Sequence, residues 1–310
     1  VMHNKSSCQL SIIVTAHNLQ DEIVKCLESI KQLVHGVADK CEVLMIDDAS
    51  SDRTPHIMKA FSNDNAGFEY LRTEYGNIGK VRRYALSKAR GDYITFVDGD
   101  DFVPLFSLKE TFNFFDDKKP DILLSKLHEV WKVSDQVTSS LLRTPTALSR
   151  NEAIKRFLIH KQFKAHLWGK YFNSRLFKSF EFPEMACYED SMAFPYLLAD
   201  SENLYYTDTV LYNYVRREGS LSNELDSVKL NAMADVILAM NRVFGESFRN
   251  LTACHAIDLL HKYKDRLAEG KRHQLSQMVE GLSTLSFLLD FSVRTSFKRK
   301  FLAYKKDGTA

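Results

Sequence analysis

Gly91-Asp-Tyr-Ile-Thr-Phe-Val-Asp98-Gly-Asp-Asp101 is the stretch whose reading decides the fold. Tyr93 to Val97 is a run of β-branched and aromatic residues and reads as a strand. It breaks off into a turn rich in carboxylates, and Gly99 is read as the residue that lets the chain turn sharply, aiming Asp98 and Asp100 at one point. Two upstream stretches have the same form. Leu10-Ser-Ile-Ile-Val14 is an apolar run that ends in Thr15-Ala-His-Asn18. Glu42-Val-Leu-Met-Ile46 ends in Asp47-Asp-Ala-Ser-Ser-Asp52.

Between these runs the apolar spacing changes to that of helices. Ile23, Cys26, Leu27 and Ile30 fall on one helix face. Thr54 starts a helix with Pro55 in its first turn. Phe68 to Leu71 reads as a further strand. Ile78, Val81, Ala85, Leu86 and Ala89 form another helix face, which Gly91 is expected to end. Strands and helices alternating in this way imply βαβ units, hence an α/β fold with a mostly parallel, doubly wound sheet covered on both faces. Further along, Leu105 to Phe115, Arg150 to His160 and Tyr188 to Ala199 read as helices. Asp121 to Leu127 and Asn203 to Tyr214 read as strands, and His128 to Thr146 as loops or edge strands. From about Asp226 a helical region follows, with Leu230, Met233, Ile237, Met240 and Phe244 at helical spacing.

The bulk properties narrow the function. The chain has 310 residues, enough for two domains, and a net charge of +2, which lacks the basic excess of a nucleic-acid binder. No apolar run approaches the roughly 18 residues of a membrane span, and Val1 to Gln9 has no apolar signal core. The five cysteines are scattered and unpaired in spacing, which speaks against a disulfide framework or a zinc site and for free thiols in a reducing compartment. There is no Gly-x-x-x-x-Gly-Lys loop, no Gly-x-Gly-x-x-Gly after the first strand and no Gly-x-Ser-x-Gly elbow, so P-loop, dinucleotide and serine-hydrolase chemistry is not indicated.

In an open parallel sheet, ligands bind beyond the carboxyl ends of the strands. The three polar turns lie at those ends. Carboxylates gathered there repel one another, and a divalent cation relieves that repulsion; oxygen ligands favour Mg2+ or Mn2+ shared with substrate phosphates. Taken singly, each turn has a plainer reading: an Asp-x-Asp triplet is common, and Asp47 or Asp48 caps a helix equally well. The ordered combination is the specific signal.

These residues resemble family 2 glycosyltransferases of the GT-A fold, of the bacterial cell-surface polysaccharide type. Ser11 to Asn18 resembles the family's opening strand with its Tyr-Asn, here His17-Asn18. Ile46-Asp-Asp-Ala-Ser-Ser-Asp52 resembles Val-Asp-Asp-Gly-Ser-x-Asp, and Gly91 to Asp101 resembles the family's Asp-x-Asp-Asp run. Only Arg82 is kept from the Ala-Arg-Asn-x-Gly helix. Trp168-Gly-Lys170-Tyr171, Tyr188-Glu-Asp190 and Tyr212-Asn-Tyr-Val-Arg-Arg-Glu-Gly-Ser-Leu-Ser222 resemble three later blocks. The resemblance covers about residues 8–223.

It implies an inverting, metal-dependent transfer from a nucleoside diphosphate sugar, UDP first among candidates, to an acceptor hydroxyl on a glycan or lipid-linked acceptor. Asp48 would meet the base, with Thr15, Ala16 and His17 lining the same pocket. Asp98, Asp100 and Asp101 would serve the metal, with Asp98 and Gly99 also near the donor. Asp190 is the candidate general base, suited to the task if its site raises its pKa, and Glu189 is the alternative base; both also read as anions at a helix start. Arg82 and Arg217 are candidate diphosphate contacts, or simply surface charges. Trp168 and Lys170 are placed on the acceptor side, with a core role as the plainer reading for Trp168. His17, His128 and His166 lack ligand spacing and are assigned no metal role.

The resulting division is 1–223 for the transferase domain, with 8–127 as its donor half and 128–223 as its acceptor half, and 224–310 for the helical region, with a boundary near Asn223. In that region Phe287, Leu288, Phe291, Phe297 and Phe301 interleave with Arg294, Lys298, Arg299 and Lys300. The pattern reads as a basic amphipathic helix for a cytoplasmic membrane face, or as a packed helix or oligomer contact. Competing readings are a GDP- or dTDP-sugar donor, a non-catalytic nucleotide-sugar-binding module of a larger polymerase, and a nucleotidyltransferase, which would carry a glycine-rich basic loop after the first strand.

Overall fold

The computed structural model describes residues 8–178, 180–185, 187–217 and 225–307. The first half follows the expected alternation: β1 (Leu10–Ala16), α1 (Ile23–Val34), β2 (Cys41–Asp48), α2 (Thr54–Asp64), β3 (Phe68–Thr73), α3 (Ile78–Lys88), β4 (Tyr93–Asp98), α4 (Leu108–Lys118) and β5 (Ile122–Ser125). The middle carries β6 (Glu129–Val130), β7 (Thr146–Leu148), α5 (Arg150–Leu158), β8 (Lys170–Asn173), α6 (Glu189–Ala199), β9 (Leu204–Thr207) and β10 (Tyr214–Val215). The last part is helical: α7 (Ser227–Phe244), α8 (Arg249–Tyr263), α9 (Glu269–Glu280), α10 (Thr284–Leu289) and α11 (Thr295–Asp307).

Eight strands form one sheet in the order β3-β2-β1-β4-β8-β5-β9-β7. The pairs β1–β2, β2–β3, β1–β4 and β5–β9 are parallel. Strand β1 is buried along its whole length, as a strand covered on both faces requires. Its side chains alternate between two cores. Ile13 joins Leu44, Ile46, Ile94 and Phe96 on one face. Leu10, Ile12 and Val14 join Val43, Met45 and Val97 on the other, under α1 and α4. This is the two-residue period of a strand.

Strand β8 was not legible as a strand. It runs antiparallel to both β4 and β5 and makes the sheet mixed at its centre. Four residues that read as a short functional block hold too little alternation to register as an element. Two glycine readings also need correction. Helix α3 ends at Lys88 with Ala89 extended, so Gly91 is no helix cap. A Cβ at Gly91 would lie 2.4 Å from the Ser11 nitrogen, and one at Gly99 would lie 2.9 Å from the Thr15 carbonyl. Close backbone approach to β1, rather than a turn, demands glycine at both places.

The C-terminal stretch is not one amphipathic helix. It breaks between α10 and α11. Phe287 and Phe301 are fully buried, with ring centroids 4.4 Å apart. Both belong to the same apolar cluster as Ile13 and Phe96 of the sheet. Lys300 pairs with Asp258 at 2.5 Å, and Arg294 donates to the Ile159 carbonyl. The apolar side chains left exposed there are Leu285, Leu289, Phe291 and Leu302. Asn223 lies outside the described residues.

Phe301→Ala should therefore lower stability by about 3–5 kcal/mol, while Phe291→Ser, fully exposed, should stay within about 0.5 kcal/mol. Urea denaturation reads both. Equal, small effects would place α11 outside the core.

Candidate active site

Strand order reverses at β1, which leads to β2 and β3 on one side and to β4 on the other, so a crevice opens beyond the ends of β1 and β4. The register sets Thr15 opposite Asp98 and Ala16 opposite Asp47. Gly99 N–H donates to the Thr15 carbonyl at 2.8 Å, which closes the gap between the two turns. The first and second turns are stitched together as well. His17 Nδ1 lies 2.6 Å from the Asp48 carbonyl, Asn18 N–H donates to Ser50 Oγ, and Ser51 N–H donates to Asn18 Oδ1. Asn18 and Ala49 both sit in the left-handed region, backbone strain of the kind that gathers at functional turns.

Asp47 and Asp48, adjacent in sequence, have different tasks. Asp47 is fully buried and holds Arg72 at 2.6 Å and the Tyr70 hydroxyl at 3.1 Å. Asp48 accepts from Thr73 Oγ1 and Tyr75 N–H through Oδ1 alone. Tyr75, whose backbone it holds, is 46% exposed. Tyr75 carries no motif signal in the sequence.

The acidic turn after β4 divides in the same way. Asp101 faces inward: Tyr212 Oη donates to Oδ2 and Val215 N–H to Oδ1, both at 2.7 Å. Burial, with Asp100 and Asp98 beside it, pushes its carboxyl well above the usual range. Its carboxylate is committed to the fold. Asp98 and Asp100 keep solvent access, with side chains 33% and 38% exposed. Burial of its inner part also raises the Asp98 carboxyl, against the pull of Arg82. Arg217 holds Asp100 at 2.9 Å and reaches Glu22 at 3.8 Å. The rest of the Tyr212 motif, from Glu218 to Ser222, lies outside the described residues.

Arg82 is no surface charge. It is 4% exposed and joins two turns far apart in sequence, pairing with Glu189 through Nη1 and with Asp98 through Nη2 at 3.4 Å. Its Nε is buried with no hydrogen-bond partner among the described residues. Glu189 and Asp190 open α6, after Tyr188 in the left-handed conformation. Burial outweighs Arg82 and pushes Glu189 up to about 7. Asp190 goes the other way. Burial opposes its charge, yet the hydrogen bond from His166, helped by Arg82 and the Ser191 N–H, holds it below the usual carboxylate range. Three contacts converge on that carboxylate: Ser191 N and Oγ on Oδ1 at 2.6 and 3.2 Å, and His166 Nδ1 at 3.3 Å from Oδ2.

His166 itself was passed over in the sequence, where a lone histidine two residues before Trp168 has no spacing signal. Trp168 is 6% exposed and stacks on His166 at 4.5 Å and on Tyr212 at 4.6 Å, which places it behind the site. Lys170, 3% exposed, donates to the His166 carbonyl. His128 lies elsewhere, against the Asp135 carbonyl.

Among the described residues, no three of His, Cys, Asp and Glu are gathered to grip a metal on their own. The two accessible carboxylates, Asp98 and Asp100, fit a hard cation that takes one or two protein carboxylates and completes its shell with substrate phosphates and water.

Burial pulls Lys170 down to about 7 from 10.5. The unfolded chain then binds the extra proton between those values, so stability gains with rising pH across that window. Lys170→Met removes this dependence. The Tm of the native chain relative to the variant should climb from about pH 7 to about pH 10; a constant difference would mean that the ammonium stays charged in the fold.

Comparison with known proteins bears on the family and the fold. The family described as Glycosyl transferase family 2 matches residues 11–179. Glycosyltransferase GlyA of Streptococcus pneumoniae is 24% identical over 236 residues, 74% of this chain and 34% of GlyA. Poly(ribitol-phosphate) β-N-acetylglucosaminyltransferase TarS of Staphylococcus aureus is 33% identical over 123 residues, 39% of this chain and 21% of TarS. These alignments take in only about a third and a fifth of those two relatives. The structure of residues 1–349 of S. aureus TarS with UDP-GlcNAc superposes with a TM-score of 0.69 at 20% identity, covering 97% of this chain and 91% of that one. A mannosyltransferase from Pyrobaculum calidifontis, in complex with GDP-Man and Mn2+, superposes with a TM-score of 0.55 at 13% identity, over 97% and 87% of the two chains. Fold and family match agree: the chain belongs to glycosyl transferase family 2, with a GT-A fold.

Proposed function

We propose that this chain transfers a sugar from a UDP-sugar to an acceptor hydroxyl of a cell-surface polymer, with inversion at the anomeric carbon and with Mn2+ or Mg2+ at the Asp98–Asp100 turn. The observation that carries the reading is the register of Thr15 against Asp98 at the strand-order reversal, with Arg82 tying that turn to Glu189, the neighbour of Asp190. One crevice thereby holds groups for the nucleotide, the diphosphate and the acceptor. Poly(ribitol-phosphate) as the acceptor in the name of TarS, and UDP-GlcNAc in its complex, support the choice of polymer and nucleotide.

In this mechanism Asp48 hydrogen-bonds the base through its spare oxygen, and Tyr75 offers it an aromatic face. Thr15, Ala16 and His17 line the floor. A divalent ion held by Asp98 and Asp100 would supply Lewis-acid screening of the diphosphate. Arg217, now on Asp100, has the fork geometry to take diphosphate oxygens when Asp100 turns to the cation. The acceptor hydroxyl loses its proton at the Glu189–Asp190 turn. Asp190 serves that proton, while Glu189 keeps Arg82 in place. One displacement without a covalent nucleophile inverts the anomeric centre.

Residues 8–127 serve the donor, 128–223 the acceptor side with Lys170 and Trp168 as its rear wall, and 224–310 brace the fold. The reaction is assigned to the cytoplasmic side. Exposed Leu285, Leu289, Phe291 and Leu302, with Arg299 one turn from Leu302, provide for a peripheral membrane contact. No helix among the described residues is long and apolar enough to cross a membrane.

Thermal melting with UDP, GDP, CDP and dTDP, each with and without Mn2+, tests this reading. At about 100 times its dissociation constant, the cognate nucleotide should stabilise by about 2.7 kcal/mol. Asp100→Ala should lose the Mn2+-dependent part of the rise with UDP. A rise with GDP alone would move the donor, and no rise with any nucleotide would sink the transferase reading.

A further inference from the structure

We propose that Trp131 is the platform of an acceptor subsite, on which a sugar ring of the acceptor polymer stacks as a neighbour of the unit that is glycosylated. The proposal rests on the glycosyl transfer set out above and adds a requirement on the acceptor side: the polymer carries sugar rings.

Strands β6 and β10 form a parallel ribbon, with Tyr214 opposite Glu129 and Val215 opposite Val130. The pairing continues past the strand ends, where Arg216 N–H donates to the Val130 carbonyl at 2.9 Å. Side chains alternate along a strand, so Glu129, Trp131, Tyr214 and Arg216 share one face. Their contacts agree. The Arg216 guanidinium lies 4.7 Å from the centre of the Tyr214 ring and 5.5 Å from that of Trp131, and it pairs with Glu129 at 2.5 Å. Tyr214 carries the row into the crevice. Its ring centre is 4.9 Å from that of Trp168 and 5.8 Å from that of His166, whose Nδ1 lies 3.3 Å from Asp190. One row thus runs from the proposed base to the surface and ends on Trp131.

A single exposed apolar side chain needs no explanation by itself. Trp131 is marked by its place in this row and by its support. It is 70% exposed, against 6% for Trp168. The guanidinium takes one side of the indole and leaves the other to solvent. The backbone beneath is pinned: Trp131 N–H and Lys132 N–H both donate to Asp135 Oδ2 at 3.1 Å. The Asn213 side chain holds Val137 through both its N–H and its carbonyl. A platform already fixed in place costs little ordering when a ligand binds.

The chemistry suits a sugar. A pyranose presents a face of weakly positive C–H groups, which fits the negative face of an indole. Its hydroxyls point to the rim, where Glu129 accepts hydrogen bonds and Arg216 donates them. Three contacts of 4.7 to 5.8 Å separate Trp131 from His166, so a ring on Trp131 lies apart from the reacting hydroxyl. The ribbon is also bonded to the acidic turn, since Val215 N–H donates to Asp101 and Arg217 holds Asp100. A polymer anchored at Trp131 is therefore presented at a fixed position relative to the donor, and binding energy from a remote unit goes into orientation.

The test uses the full chain with cellohexaose, chitohexaose and poly(ribitol phosphate) as probes. The chain has two tryptophans, and only Trp131 is exposed, so acrylamide quenching of indole fluorescence reports on it. At least one hexasaccharide should shield Trp131 from acrylamide. Its affinity by isothermal titration calorimetry should fall about tenfold in Trp131→Ala and stay within about threefold in Trp131→Phe, which keeps an aromatic face. Trp131→Ala should keep the native Tm and its rise with UDP, which shows that the loss is not one of folding. Absence of shielding by both hexasaccharides, equal affinity in Trp131→Ala, or a Trp131-dependent response to poly(ribitol phosphate) alone would overturn the subsite. Hexasaccharide binding through Trp131 in a native chain whose Tm does not respond to UDP would keep the sugar platform and sink the transferase reading, and with it the acceptor role.

Discussion

Arg82 lies buried between carboxylates that come from two separate parts of the chain, Asp98 at the end of β4 and Glu189 at the start of α6. Each charge is tolerated there because of the others. Removal of one partner of a buried pair costs about 3–5 kcal/mol, because the remaining charge is left desolvated and alone. The pairing also brings the acidic turn to the helix that carries Asp190. With Arg82 withdrawn, the two halves of the crevice would lose the charge that joins them, and the Asp98 and Glu189 carboxylates would face each other unshielded.

A second link runs parallel to the first and is uncharged. His166, Trp168 and Tyr212 stack in succession, and the Tyr212 hydroxyl ends on the Asp98 backbone and the Asp101 carboxylate. This explains why Asp101 is spent on structure while its neighbours keep solvent access. It also accounts for a buried Trp168: the indole is a spacer that sets the distance between the donor turn and the imidazole. Aromatic rings suit that role because stacking fixes planes as well as distances.

The C-terminal helices belong to the same physical unit. Phe287 and Phe301 extend the apolar cluster that begins under the sheet, and α7 packs along α6. Helix α6 carries Glu189 and Asp190 at its first turn. The packing of the helical region thus bears directly on the placement of the two carboxylates.

The strand-helix alternation, the three polar turns and the separation of two core faces were legible in the residues, because they rest on local periodicity and on strand ends where chain direction alone decides exposure. The position of Asp48, Asp98 and Asp100 at or just beyond strand ends was readable for the same reason. Tertiary structure decided what depends on residues meeting from afar: the insertion of β8 between β4 and β5, the burial of Arg82, and the inward turn of Asp101. It likewise drew Phe287 and Phe301 of the C-terminal stretch into the core while leaving Phe291 exposed. His166 is the plainest case, since nothing in its neighbours marks it and only the meeting of its loop with α6 sets Nδ1 against Asp190. Periodicity reports which face of an element is buried; it carries no information about which side chains from other elements will be waiting there.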